Sequence, residues 1–251
     1  MTENWENKNI SFKAANGRES TVKIVSEKPL NESRSYGKIF DTVIEVGGHE
    51  RNFVVKKYLP GYESDRLNAG DEQHIKDTTQ NAFRYYTLAK KAGLKVFTTF
   101  RISEDQKSIL MTSGFLDNNI CLGSNNVPGI KDFNHPPIGN IENVDEFLQN
   151  FFSEGLKAAK SRLELYSDAY FFIVSRDNPT KLDFVLGDLD NLVEKEKPMK
   201  ETGFYNIEHI KDMLIEFCGK NITPEYAKNF MEKVDRYFKE AENSIENSDL
   251  E

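Results

Sequence analysis

Three strand-like runs lie between Thr21 and Tyr58, and Gly47-Gly48-His49-Glu50 separates the last two. Thr21-Val22-Lys23-Ile24-Val25 alternates apolar and polar residues. The run from Lys38 to Val46 carries Ile39, Val43, Ile44 and Val46, and Asn52-Phe53-Val54-Val55-Lys56-Lys57-Tyr58 is β-branched and aromatic. Such runs put successive side chains on opposite faces of a strand. A Gly-Gly pair between two of them predicts a tight antiparallel hairpin, because only glycine enters the left-handed turn region without strain. The link between the first and second runs, from Glu27 to Gly37, is long and polar.

Beyond the hairpin the period changes. Asp71 stands where a helix N-cap belongs and Gly93 where a left-handed stop belongs, with Ile75, Ala82, Tyr86 and Ala89 as the apolar face between them. Val96 to Ile102 and Ser108 to Thr112 read as two further strands around the Glu104-Asp105-Gln106 turn. The first block is therefore three strands, one helix, two strands.

Residues 113–142 are rich in Gly, Asn and Pro, a long irregular connection that is either functional or mobile. Asn143 with Glu146 resembles a capping box. Val144, Phe147, Leu148, Phe151, Leu156, Ala159 and Leu163 mark the helical face that follows. Ala169 to Val174 and Leu182 to Leu186 form a predicted hairpin around Arg176-Asp177-Asn178-Pro179-Thr180. Asn206 is expected to open one helix and Gly219 to close it, and Thr223-Pro224-Glu225 starts the last. The sequence thus predicts an α+β chain in five parts. These are a polar, loosely attached segment (1–20), a β-rich lobe (21–112), the connection (113–142), a helical lobe with a small hairpin (143–245) and an acidic tail (246–251).

Composition narrows the function. The chain has 251 residues, enough for a sizeable core, and a net charge of -8. That balance argues against non-specific binding to nucleic acid or an anionic membrane, both of which need a basic face. Cys121 and Cys218 are too few for a disulfide framework and read as reduced thiols. No leader-like segment and no apolar run of about 18 residues is seen, so the expected location is the cytoplasm. His49, His74, His135 and His209 lack metal-ligand spacing. The Phe and Tyr residues near 147–172 read as core.

The order of the elements, with specific residues in place, resembles the protein-kinase-like superfamily, and within it the aminoglycoside phosphotransferase branch of small-molecule kinases. Phe53-Val54-Val55-Lys56 is similar to the third-strand segment whose lysine holds nucleotide phosphates. Leu88 to Val96 is similar to the passage from the inserted helix into the next strand. Ser108-Ile109-Leu110-Met111-Thr112-Ser113-Gly114 is similar to the strand entering the interlobe hinge. Phe184-Val185-Leu186-Gly187-Asp188-Leu189-Asp190 is similar to the strand leading into the metal-binding aspartate motif, and Asp168 precedes Asp188 by about the family's gap.

The resemblance implies a two-lobed fold with a five-stranded antiparallel sheet and one helix in front. It also implies ATP and Mg2+ as cofactors and a small-molecule hydroxyl as acceptor. Lys56 would neutralise phosphate, Asp188 hold the metal with Asp190 assisting, and Asp168 orient the acceptor. Strand alternation sends Lys56 to one side and Lys57 to the other.

Four departures from the family pattern support another reading, a catalytically inactive kinase-like module that binds a nucleotide or a protein partner. Glu27 to Gly37 holds one glycine where a phosphate-covering loop has several. No acid stands near Ala82 in the inserted helix. The catalytic loop shrinks to Tyr166-Ser167-Asp168. No asparagine follows Asp168; Ala169-Tyr170-Phe171-Phe172 stand there instead.

Overall fold

The structure is a computed structural model. It describes residues 4–29, 37–58, 72–112, 119–121, 137–166, 169–175, 177–187, 189, 192–196 and 199–248. Two compact units are formed, one from Met1–Thr87 with Phe97–Asp117, the other from Leu88–Val96 with Asn118–Glu251. Among the described residues no helix is long and apolar enough to cross a membrane.

The first unit is built on a closed antiparallel barrel. Its strands are β1 (Asn9–Ala14), β2 (Glu19–Pro29), β3 (Gly37–Val46), β4 (His49–Tyr58), β5 (Phe100–Ser103) and β6 (Ser108–Thr112), in the order β1-β2-β3-β4-β6-β5. The β3–β4 hairpin is the expected one, with Gly47 and Gly48 both at positive φ (61° and 79°). The five-stranded antiparallel sheet expected from the sequence is corrected to six strands closed on themselves. The sixth strand, β1, comes from the segment read as loosely attached.

Closure has a physical reason. β1 pairs with β2 on one side and with β5 on the other, so neither β2 nor β5 is left as an edge with unpaired amides. Trp5, 4% exposed, packs edge-on against Phe12 at 5.9 Å and joins the barrel core with Ile24, Ile44, Val55 and Leu110. The predicted strand from Val96 to Ile102 shortens to β5, while Val96 bridges Leu186 instead. Helix α1 (Glu72–Lys91) carries Tyr86, which stacks on Phe100 at 4.6 Å and donates its hydroxyl hydrogen to Phe97 O at 2.9 Å. The expected stop at Gly93 is present, with φ +76°; the expected cap, Asp71, lies outside the described residues.

The second unit holds helices α2 (Val144–Lys160), α3 (Met199–Asn221) and α4 (Pro224–Glu246). A three-stranded sheet accompanies them, ordered β10 (Leu182–Leu186), β9 (Tyr170–Ser175) and β7 (Asn119–Cys121). A second small sheet pairs β8 (Leu163–Leu165) with β11 (Leu192–Glu194). The predicted hairpin is therefore β9–β10, enlarged by β7. Its core is aromatic: Phe151 lies 4.8 Å from Phe184, 5.1 Å from Tyr170 and 5.3 Å from Phe172.

Three local expectations change. Asn143 does precede α2, yet its side chain makes no cap hydrogen bond. Its amide behaves as an extra strand residue instead, donating to Leu182 O at 2.9 Å and accepting from Leu182 N at 3.0 Å. Helix α3 runs past the expected stop at Gly219 to Asn221, and Asn206 does not open it but lies inside it, fully buried. Propensity disfavours asparagine there; tertiary hydrogen bonds override it.

Candidate functional site

Lys56 is placed by the barrel register. It pairs with Ile109, Val54 pairs with Met111, and Phe100 pairs with Met111, so these residues share the barrel's outer face. Phe100 is the ring on which Tyr86 of α1 stacks. Lys56 is half-buried on that face, with Nζ 5.0 Å from the centroid of Tyr58. The buried residues of α1 in this unit are Ile75, Thr79, Ala82 and Tyr86, all neutral.

Lys57 takes the opposite face, as alternation requires. Its side chain is 5% exposed inside the barrel, with Nζ 2.6 Å and 2.7 Å from the two carboxylate oxygens of Glu27. The ammonium also lies 4.0 Å from the Trp5 ring centroid and 4.8 Å from that of Phe40. Trp5 N–H donates to the same carboxylate at 3.3 Å. Of two adjacent lysines, one is committed to a buried ion pair and the other is on the helix-covered face.

Asp168, Asp188 and Asp190 lie outside the described residues. Their neighbours in sequence are described. Gly187 N–H donates to Ala169 O at 3.0 Å, and Ala169 N–H donates to Tyr166 O at 3.0 Å. Leu186, the last residue of β10, donates to Lys95 O at 2.8 Å, and Leu189 is 2% exposed. The segment ending at Gly187 and the segment beginning at Ala169 are thus tied backbone to backbone. Among the described residues no three His, Cys, Asp or Glu side chains gather as a metal site.

Tyr166, Tyr205 and His209 cluster beside these segments. Tyr205 and His209 have ring centroids 4.3 Å apart, and Tyr166 is 6.2 Å from Tyr205. Burial, and then Tyr166 and Glu164 nearby, push the Tyr205 phenol up to about 12. Deeper in the unit, the Glu154 carboxylate accepts from Lys95 N–H at 2.7 Å, Lys157 Nζ at 2.8 Å and the Tyr170 hydroxyl at 3.1 Å. Burial first, and Glu154 second, push the Tyr170 phenol well above its ordinary value. Glu154 was legible in principle: it continues the spacing of Phe147 and Phe151 along α2, so an acid occupied a core-facing position.

No known family profile matches the chain, and no curated protein matches it. Among solved structures, one that it resembles is the crystal structure of a Helicobacter pylori proinflammatory kinase, CtkA. The TM-score is 0.40 at 9% identity, covering 92% of this chain and 97% of that one.

Proposed function

We propose that the chain is an atypical kinase-like protein that transfers phosphate from ATP to a hydroxyl of a small molecule. What carries this reading is the hydrogen bond from Gly187 N–H to Ala169 O. It joins the two segments from which Asp168 and Asp188 continue, the pair that phosphoryl transfer needs as acceptor-orienting and metal-holding carboxylates.

The chemistry of the donor set fits the cofactors. Asp188 and Asp190 offer the hard oxygen ligands that magnesium prefers, and Lys56 offers a point charge for phosphate. A bound magnesium nucleotide would supply the transferable phosphoryl group. Lys56 neutralises phosphate oxygens, while Asp168 accepts a hydrogen bond from the acceptor hydroxyl and fixes its direction.

The second reading, a catalytically inactive kinase-like module that binds a nucleotide or protein partner, has its own observation. The buried face of α1 carries no acid, so the carboxylate that would hold the strand lysine in an active kinase-like site has no counterpart at Ile75, Thr79, Ala82 or Tyr86.

Thermal melting with ATP, with and without magnesium, separates the two. A ligand that binds only the native state raises the melting temperature. The phosphotransferase reading expects a magnesium-dependent rise that Lys56→Ala or Asp188→Ala abolishes. A rise that ignores magnesium favours the inactive module, and no rise at saturating ATP sinks the nucleotide reading.

A further inference from the structure

In a closed barrel the inward positions of every strand fill the lumen, and apolar side chains belong there. Cross-strand partners share a face, so the register identifies those positions. Ile24 pairs with Ile44, and Ile44 pairs with Arg51. Val55 pairs with Leu110, and Leu110 pairs with Arg101. Ile24, Ile44, Val55 and Leu110 are the buried core of the barrel. Arg51 and Arg101 therefore occupy inward positions, both at the same end, opposite to the end plugged by Lys57 and Glu27.

That end opens into a cavity of about 380 Å³. Arg18, from the turn between β1 and β2, joins Arg51 and Arg101 around it, and the fully or nearly buried Ile44 and Leu110 close its floor. Phe53 and Val22 form an apolar wall. The rim is fixed: Arg101 donates to Ser20 Oγ, and Thr99 N–H donates to Thr112 Oγ1 at 2.7 Å. Among the described residues the Arg18 and Arg51 guanidinium groups have no carboxylate partner. The carboxylate lining the cavity, Glu45, is already engaged by Lys23 at 3.4 Å.

Three like charges at one mouth repel each other unless an anion offsets them, and a chain of net charge -8 gathers them nonetheless. Guanidinium groups match the oxygens of phosphate bidentately. Three of them suit a group with three free oxygens better than a carboxylate with two. The volume lies in the range of small-ligand pockets, and the closed floor keeps the occupant at the mouth.

We propose that the arginine-lined mouth of the barrel binds the phosphate group of a phosphorylated small molecule, whose apolar part lies against Phe53 and Val22. This site does not include Lys56 and is independent of the kinase-like reading.

The test is titration calorimetry on the full chain, without nucleotide or magnesium, in chloride buffer of constant ionic strength. The probes are phenyl phosphate, inorganic phosphate and benzoate. Phenyl phosphate should bind saturably at one site, more tightly than inorganic phosphate and more tightly than benzoate. Arg51→Ala and Arg18→Ala should each weaken it by about tenfold or more, the loss expected for one charge-assisted contact. Lys56→Ala should bind like wild type. Both arginines are exposed, and melting curves check that the variants fold. The proposal is overturned by no saturable binding up to about 10 mM, well above any affinity such a site needs. It is equally overturned by benzoate binding as tightly as phenyl phosphate, by unchanged affinity in both arginine variants, or by loss of binding in Lys56→Ala.

Discussion

Asn206 uses its whole side-chain amide. Its oxygen accepts from Leu165 N–H at 2.9 Å, and its nitrogen donates to Gly155 O at 3.1 Å and Leu163 O at 2.8 Å. Replacing it by alanine leaves those backbone groups buried and unpaired, at a cost of roughly 3 kcal/mol. Urea unfolding of Asn206→Ala should show a lower midpoint with an unchanged slope. A residue that reads as a helix opener in sequence is thus a tertiary staple, because its partners are up to 51 positions away. Tyr205 makes stability depend on pH. Its folded pKa, about 12, lies above the ordinary value of 10.0, so the folded chain holds the proton longer than the unfolded one. The resulting stability is fully present below about pH 10 and is lost as pH rises toward 12. Unfolding midpoints at pH 9 and pH 11.5 should fall further for wild type than for Tyr205→Phe. Equal falls would show that the phenol is not buried as described.

Helices α2 and α3 approach each other at a glycine. A Cβ on Gly155 would stand 3.0 Å from Ile210 Cδ1 and 3.2 Å from Ile207 Cγ2, so both isoleucines would have to give way. Alanine gains about 1 kcal/mol of helix propensity over glycine, whereas overpacking costs typically about 1–3 kcal/mol. Gly155→Ala should therefore destabilise, and Ile210→Val in the same chain should recover part of the loss, seen as non-additive melting temperatures. Additivity would mean that the contact relaxes freely. At this scale the sequence was informative about periodic elements. The β3–β4 hairpin, α1, α2 and the β9–β10 hairpin were all legible, because each repeats a local pattern over several turns or pairs. β1 was not: Asn9-Ile10-Ser11-Phe12-Lys13-Ala14 is short and half polar, and its strand state comes from pairing with both β2 and β5.

Across the whole molecule, the two units solve burial differently. The second packs aromatic rings around a buried carboxylate, Glu154, held by several donors, while the barrel places its charges at the two ends of its lumen. Lys57 and Glu27 are 5% and 3% exposed, so their attraction must offset the loss of water around both. Removing one partner strands the other: Lys57→Met alone should cost roughly 3–5 kcal/mol. The double variant Lys57→Met with Glu27→Leu should recover part of that: the two apolar groups need no partner, but Trp5 N–H loses its acceptor. A denaturant double-mutant cycle measures it; a double variant no better than the single would show that the pair does more than neutralise itself.

The α+β character, the order of most elements, the aromatic core and the divergence of Lys56 from Lys57 are all written in the linear chain. Each of these follows from periodicity and turn chemistry within a few residues. Long-range folding closes the sheet into a barrel, completes it with Trp5 and β1, and turns Asn143 and Asn206 to distant backbones. It also brings Arg18, Arg51 and Arg101, spread over 84 positions of the chain, to one mouth. Alternation already put Arg51 in phase with Phe53 and Val55. But whether that phase faces a lumen or solvent is fixed by closure, and closure depends on pairing between strands far apart in the chain.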